Sequence, residues 1–239
     1  MKTGIKRAGL ITMTAALLAV SPLVAQPAGR TRSAAPPAAA VTQPRFNSGQ
    51  VEAFASASDL AFIRPGLKII VNSVTIGSDR KVVVDFNLTD SLDQPIDRLG
   101  KTTPGPVSVS FVLSWYDPTT RQYTSYNTRI QTGSATSPHP GATASQAAAL
   151  AGTTVDLETG HAKFTSTTVL PAGFDQTKTH TLGIYSTRNL TAVVGIDPAL
   201  QKSYFANAVV DFRPDGGTVT DKWDKMREST TCNTCHDPL

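Results

Sequence analysis

The sequence predicts an all-β fold: an antiparallel β-sandwich or split barrel of Ig-like or Greek-key type, followed by a short C-terminal tail. Three observations carry this reading. Runs rich in Val, Ile, Phe and Thr alternate apolar with polar residues, and turns bearing Gly, Pro or Asp separate them. No apolar period of 3.6 residues persists beyond about a dozen positions.

Taken in order, LKIIVNSVTI from Leu67 is β-branched and alternating, and GSDR turns it into KVVVDFNLTD. There Val82, Val84, Phe86 and Leu88 share one face. A polar loop with Pro95 and Gly100 leads to PVSVSFVLSWYD, where Val107, Val109, Phe111 and Leu113 do the same. DPTT is a turn into a further strand, RQYTSYNTRI. Residues 132–154, made of Ala, Thr, Ser and Gly with two prolines, read as a long mobile loop. Strand-like runs resume at HAKFTSTTVL, THTLGIYSTR and YFANAVVDF. Before the first strand, SGQVEAFASASDLAF holds a short helix with Val51, Phe54 and Ala55 on one side. Short strands at this spacing favour a sandwich or barrel. No internal repeat is present.

The two ends are different in kind. MKTGIKR is a positive start, AGLITMTAALLAV an apolar run, and SPLVA ends in a small residue, so residues 1–25 read as a secretory signal peptide. The apolar run covers only about 20 Å of helix, too short for a bilayer span. Residues 26–47, rich in Ala and Pro, are expected to be a flexible linker. Residues 48–217 form the β-domain, and residues 218–239 form a connector and the start of a second kind of domain.

Charge excludes one class of partner. The chain of 239 residues has 22 Lys and Arg against 18 Asp and Glu. Lys2, Lys6, Arg7, Arg30 and Arg32 belong to the signal and linker, and without those five, 17 basic residues face the 18 acidic ones. No basic patch remains for nucleic acid.

Both cysteines lie in the last eight residues, CNTCHDPL, which carry Cys232, Cys235 and His236. Scattered half-cystines would signal a disulfide scaffold, and these are not scattered. The spacing C-x-x-C-H fits covalent haem c. Each thiol adds to one vinyl group, and the adjacent imidazole supplies an axial nitrogen to the iron. The tail is therefore expected to be a haem-attachment segment, with Cys232 and Cys235 as thioether positions and His236 as proximal iron ligand. A thiol-disulfide site is the rival, but it normally opens a helix in a βαβ setting, which is lacking here. Two thiolates and one histidine fall one ligand short of structural zinc.

The second axial ligand is open among His139, His161, His180 and Met226, with Met13 lost alongside the signal; each histidine also reads as a solvated or turn residue. Asp90, Asp93 and Asp97 could offer oxygen ligands to calcium, although acidic turns are common. Asn87 and Asn189 stand in glycosylation patterns that are incidental under a bacterial-type signal. No nucleophile–base pair, phosphate-binding loop or paired-carboxylate site stands out, so the chain is read as an electron carrier and not an enzyme.

The runs FIRPGLKIIVNSVTI, DRKVVVDFNLTDSLDQPIDRLG, TPGPVSVSFVLSWYD, LPAGFDQTKTHTLGIYSTRNL and VVDFRPDGG, followed by TTCNTCHDPL, resemble the N-terminal part of the OmcA/MtrC family of decahaem c-type cytochromes. The resemblance covers roughly residues 60–239, in the order β-domain, connector, first haem motif. It implies an exported multihaem cytochrome of the periplasm, outer membrane or cell surface of a Gram-negative bacterium. Electrons would pass through other redox proteins or outer-membrane conduit components to extracellular acceptors such as metal oxides. From the short apolar run of the signal, no transmembrane helix is expected after cleavage. The resemblance places the first haem on Cys232, Cys235 and His236, and transfers no catalytic role to the β-domain. One such motif stands where a decahaem protein has ten, so the chain is expected to be the front of a longer protein. The alternatives are a secreted β-sandwich binding module whose tail holds no haem, or a thiol-disulfide site on a β scaffold.

Overall fold

The computed structural model describes residues 46–222. The signal peptide, most of the linker, and the CNTCH segment with Met226 lie outside the described residues.

Alternation of apolar residues builds two four-stranded antiparallel sheets. One sheet, in the order β1-β2-β8-β7, consists of β1 (Lys68–Ile76), β2 (Lys81–Thr89), β8 (His161–Val169) and β7 (Gly152–Glu158). The other, in the order β10-β9-β3-β4, consists of β10 (Ser203–Phe212), β9 (His180–Asn189), β3 (Val107–Asp117) and β4 (Gln122–Ser125). Both sheets keep open edges, so the sandwich is found and a closed barrel is not. The chain crosses to the second sheet after β2, returns after β4 by way of residues 126–151, and crosses again after β8, which sets β8 against β2 and β9 against β3.

The inward faces are those the alternation predicts. Val82, Val84, Phe86 and Leu88 from one sheet meet Val107, Phe111, Leu113, Leu182 and Ile184 from the other in one core. Phe111 stacks on Phe164 at 4.3 Å between ring centroids and leans on Phe86 at 5.6 Å, so three rings bridge the sheets. In β1 the pairing shifts between Val71 and Ser73. A bulge of this kind flips the phase of the side chains. Leu67, Ile69 and Val71 therefore pack inward before it, and Val74 and Ile76 after it.

Three expectations need correction. Residues 132–154 are not one loop: β6 (Thr143–Ala147) pairs with β5 (Thr128–Thr132) in a separate two-stranded ribbon, and β7 begins at Gly152. Every residue of β5 and β6 is exposed, so no buried face imposes the apolar alternation that marks a strand. RQYTSYNTRI is likewise two strands in different sheets, divided at Tyr126 and Asn127. The N-terminal helix also faces differently. A 3₁₀ turn, Val51–Phe54, precedes α1 (Ala57–Ile63), and the side chains of Val51 and Phe54 are exposed while Glu52 and Ile63 are buried.

Local signals explain where α1 starts and stops. The Ser56 hydroxyl accepts from the Asp59 amide at 3.0 Å, capping the first turn. Arg64 at φ 50° ends the helix in the left-handed region. The β7–β8 turn requires Gly160 at φ 79°, where an added Cβ would come within 2.9 Å of the Leu88 carbonyl oxygen.

Two buried charges fasten the N-terminal segment. Arg188, fully buried on β9, donates from Nε and Nη2 to the Pro104 carbonyl, from Nη1 to those of Arg64 and Gly66, and from Nη2 to that of Ile63. These contacts use all of its N–H groups. Burial pulls its guanidinium down to about 10, so it stays cationic at neutral pH.

Glu52, 2% exposed, accepts from the Tyr204 hydroxyl and from Lys202 Nζ, each at 2.6 Å. Burial alone would raise its pKa, but the hydrogen bonds from Lys202 and Tyr204 outweigh it and hold the carboxyl below the ordinary value of 4.5. The unfolded chain then binds the proton more tightly than the folded one. The stabilisation is complete above the ordinary value and is lost as pH falls through the lower folded one. Glu52→Gln is expected to cost about 2 kcal/mol at neutral pH, because the ion pair is lost inside the fold. Urea unfolding from neutral to acid pH should show the wild type and the variant converging. A constant gap across that range would refute the assignment.

Candidate functional site

The residues singled out for metal or haem chemistry do not converge within the described part of the chain. Asp90 Oδ1 accepts from the amides of Leu92 and Gln94, and Oδ2 from Arg64 Nε at 2.8 Å. Asp93 pairs with Lys68, and Asp97 accepts from the amides of Leu99, Lys101 and Thr102. The Asp97 carboxyl is pushed up by burial, but those backbone donors prevail and hold it below its usual range. These carboxylates organise the Asp90–Thr103 loop and do not form a calcium cage. Among the described residues, no group of three or more His, Cys, Asp or Glu is arranged to hold a metal ion.

The three histidines also part company. His139 is exposed on the connection between β5 and β6. His161 opens β8, with Nε2 2.8 Å from Asp85 Oδ1 and Nδ1 3.6 Å from Glu158 Oε1. The Asn72 amide and His161 hold the Asp85 carboxyl below its usual range. His180 is fully buried with both ring nitrogens engaged. The Lys178 carbonyl can only accept, so Nδ1 carries the proton and donates to it at 2.9 Å. Nε2 therefore accepts from the Tyr126 hydroxyl at 2.7 Å. Burial lowers the His180 pKa and keeps the ring neutral, and burial pushes the Tyr126 hydroxyl up to about 12. With both nitrogens occupied, His180 does not fit the role of axial ligand.

His180 lies instead beneath a pocket at one end of the sandwich. Trp115 sits opposite it in the β3–β9 register, continuing the inward face of Val107, Val109, Phe111 and Leu113. Tyr126 lies nearly parallel to the imidazole at 5.6 Å, Phe174 meets it edge-on at 6.0 Å, and Phe212 leans on it at 5.8 Å. Above this floor opens a cavity of about 220 Å³ lined by Trp115, Tyr126, Phe174, Pro171, Asp175 and Lys178. Lys178 Nζ stands 4.1 Å from the Trp115 ring centroid, a cation–π contact. Asp175 Oδ1 accepts from the Thr177 amide and hydroxyl, bonds that keep the carboxylate ionised.

Sequence reasoning did not single out this pocket. The period-two pattern places Trp115 on the inward face, but an inward aromatic usually fills a core. Only the turn at Pro171–Lys178, which brings Phe174, Asp175 and Lys178 to the end of the sheets, leaves Trp115 at a cavity wall. Among the described residues, no helix is long and apolar enough to cross a membrane.

No family model matches the chain, and no curated protein matches it. Solved structures similar to this chain include two multihaem cytochromes. One is the outer membrane decahaem cytochrome OmcA, at 17% identity and a TM-score of 0.48, covering 72% of this chain and 26% of the other. The second is MtrC from Shewanella baltica OS185, at 20% identity and a TM-score of 0.44, covering 71% and 26%. The chain spans about a quarter of the length of each.

Proposed function

We propose that this chain belongs to an exported multihaem c-type cytochrome that passes electrons towards acceptors outside the outer membrane, with the β-sandwich preceding the first haem site. The single observation that carries the reading is the C-N-T-C-H run at Cys232, Cys235 and His236, placed after a β-domain and in a chain that starts with a secretory-type segment. Its donor set fits haem c: two thiols at the spacing of the two vinyl groups, and an imidazole next to the second. Haem supplies an iron centre that takes up and releases one electron. Cys232 and Cys235 would tether it, and His236 would donate an axial nitrogen. Covalent attachment suits a protein working outside the cytoplasm, where a loosely held cofactor is lost. Its partners in this reading are other redox proteins or outer-membrane conduit components, and a metal oxide is a candidate terminal acceptor. This reading assigns no catalytic role to the sandwich itself.

Expression of the full chain with a c-type maturation system, followed by haem staining of a denaturing gel, tests this. Wild type is expected to stain at the mass of the chain, and the Cys232→Ser, Cys235→Ser double variant to lose all staining. His236→Ala should leave residual covalent haem with an altered absorption spectrum. A wild-type band without stain would overturn the reading.

A further inference from the structure

We propose that the cavity walled by Trp115, Tyr126 and Phe174 is a binding site for one neutral pyranose ring of a polysaccharide. This does not rest on the haem assignment, since every residue it uses lies in the β-sandwich.

Size sets the first limit. Pockets for drug-sized ligands run to about 300–1,000 Å³. One of about 220 Å³ takes a single six-membered ring with its substituents. The walls set the second. Trp115, Tyr126 and Phe174 are only partly buried and line the cavity, so aromatic surface reaches it. The Tyr126 hydroxyl is spent on His180, and His180 is spent on Tyr126 and the Lys178 carbonyl. The floor thus offers ring surface and no unused hydrogen-bonding group.

The rim is polar. Lys178 Nζ stands over Trp115, and Asp175 is exposed with its Oδ1 holding the turn. One positive and one negative group side by side present no net charge, so neither an anion nor a cation is preferred. A ligand fitting both features has an apolar face for the rings and an edge of groups that donate to a carboxylate and accept from an ammonium. The C–H face and hydroxyl edge of a pyranose meet this description. A flat aromatic molecule would stack as well, but it would desolvate Asp175 and Lys178 and return no hydrogen bonds. Lys178 can move aside on its flexible stem while keeping a hydroxyl as partner.

Saturation-transfer NMR and calorimetry on the full chain test the site, with methyl glucoside, methyl galactoside, methyl mannoside and N-acetylglucosamine as probes. At least one is expected to bind with a Kd in the millimolar range, as about 4 kcal/mol of binding free energy gives. Trp115→Ala should abolish the transfer. Asp175→Asn and Lys178→Met, at rim positions that do not hold the core together, should each weaken binding about fivefold with an unchanged circular dichroism spectrum. The proposal is overturned if none of the four sugars shows transfer at about ten times the millimolar Kd. It is also overturned if binding survives unchanged in the Asp175→Asn, Lys178→Met double variant, or if 2-naphthol binds the wild type and the sugars do not.

Discussion

Arg188→Met is expected to destabilise the β-domain by about 3 kcal/mol, and Arg188→Ala by about 4 kcal/mol. Methionine keeps most of the volume and removes every donor. What it isolates is the loss of hydrogen bonds to the carbonyls of Ile63, Arg64, Gly66 and Pro104. Each buried carbonyl left without a donor costs on the order of 1–3 kcal/mol, reduced where water can enter. The bonds hold the end of α1 and the approach to β3 against β9, so their loss should also free residues 51–66. Urea denaturation gives the total, and hydrogen exchange at the α1 amides reports the local release. Lysine should not rescue, because one ammonium cannot reach carbonyls arrayed around a planar fork. An Arg188→Met protein within about 1 kcal/mol of wild type, with α1 still protected, would show that the clamp is replaceable by water.

Phe111→Ala is expected to cost about 4 kcal/mol. The ring is 1% exposed, comes from the β3 sheet, and contacts Phe86 and Phe164 of the opposite sheet. Truncation removes the buried area and leaves a cavity between layers that cannot close without moving both sheets. Phe111→Leu should cost roughly 1.5 kcal/mol, since most of the space stays filled. The check is the denaturation midpoint at unchanged slope. Equal small losses for both variants would mean that the sheets close over the gap and that the three rings do not hold them apart.

Much of the sandwich was legible because burying one face of a strand writes a period of two into the chain. Val82 to Leu88 and Val107 to Leu113 show it plainly, and the structure buries those faces. β5 and β6 bury neither face, so Thr143–Ala147 carries no pattern to read. Arg188 and Glu52 were illegible for another reason. Each looks like a surface charge in its own segment, and each is buried by partners more than 80 positions away in sequence. Acidic Asp90, Asp93 and Asp97 looked like ligands by composition, whereas turn amides and basic side chains claim them. The C-N-T-C-H run is the opposite case: the proposal built on it rests on spacing alone and draws nothing from the fold. Trp115 lies between these extremes, its facing set by the strand and its exposure set by a distant turn.

The Glu52–Tyr204 bond has a consequence in time. It joins residues 152 positions apart, and the Arg188 bonds to Ile63 and Arg64 join residues 125 and 124 apart. Residues 51–63 therefore wait for these bonds until β9 and β10 have been made, while Arg64 already meets Asp90 in the loop after β2. Contacts this distant place such a domain among slow folders, on the order of milliseconds to seconds. Tyr204 is made 152 residues after the Glu52 it holds, so the start of the sandwich is secured only after its core strands exist.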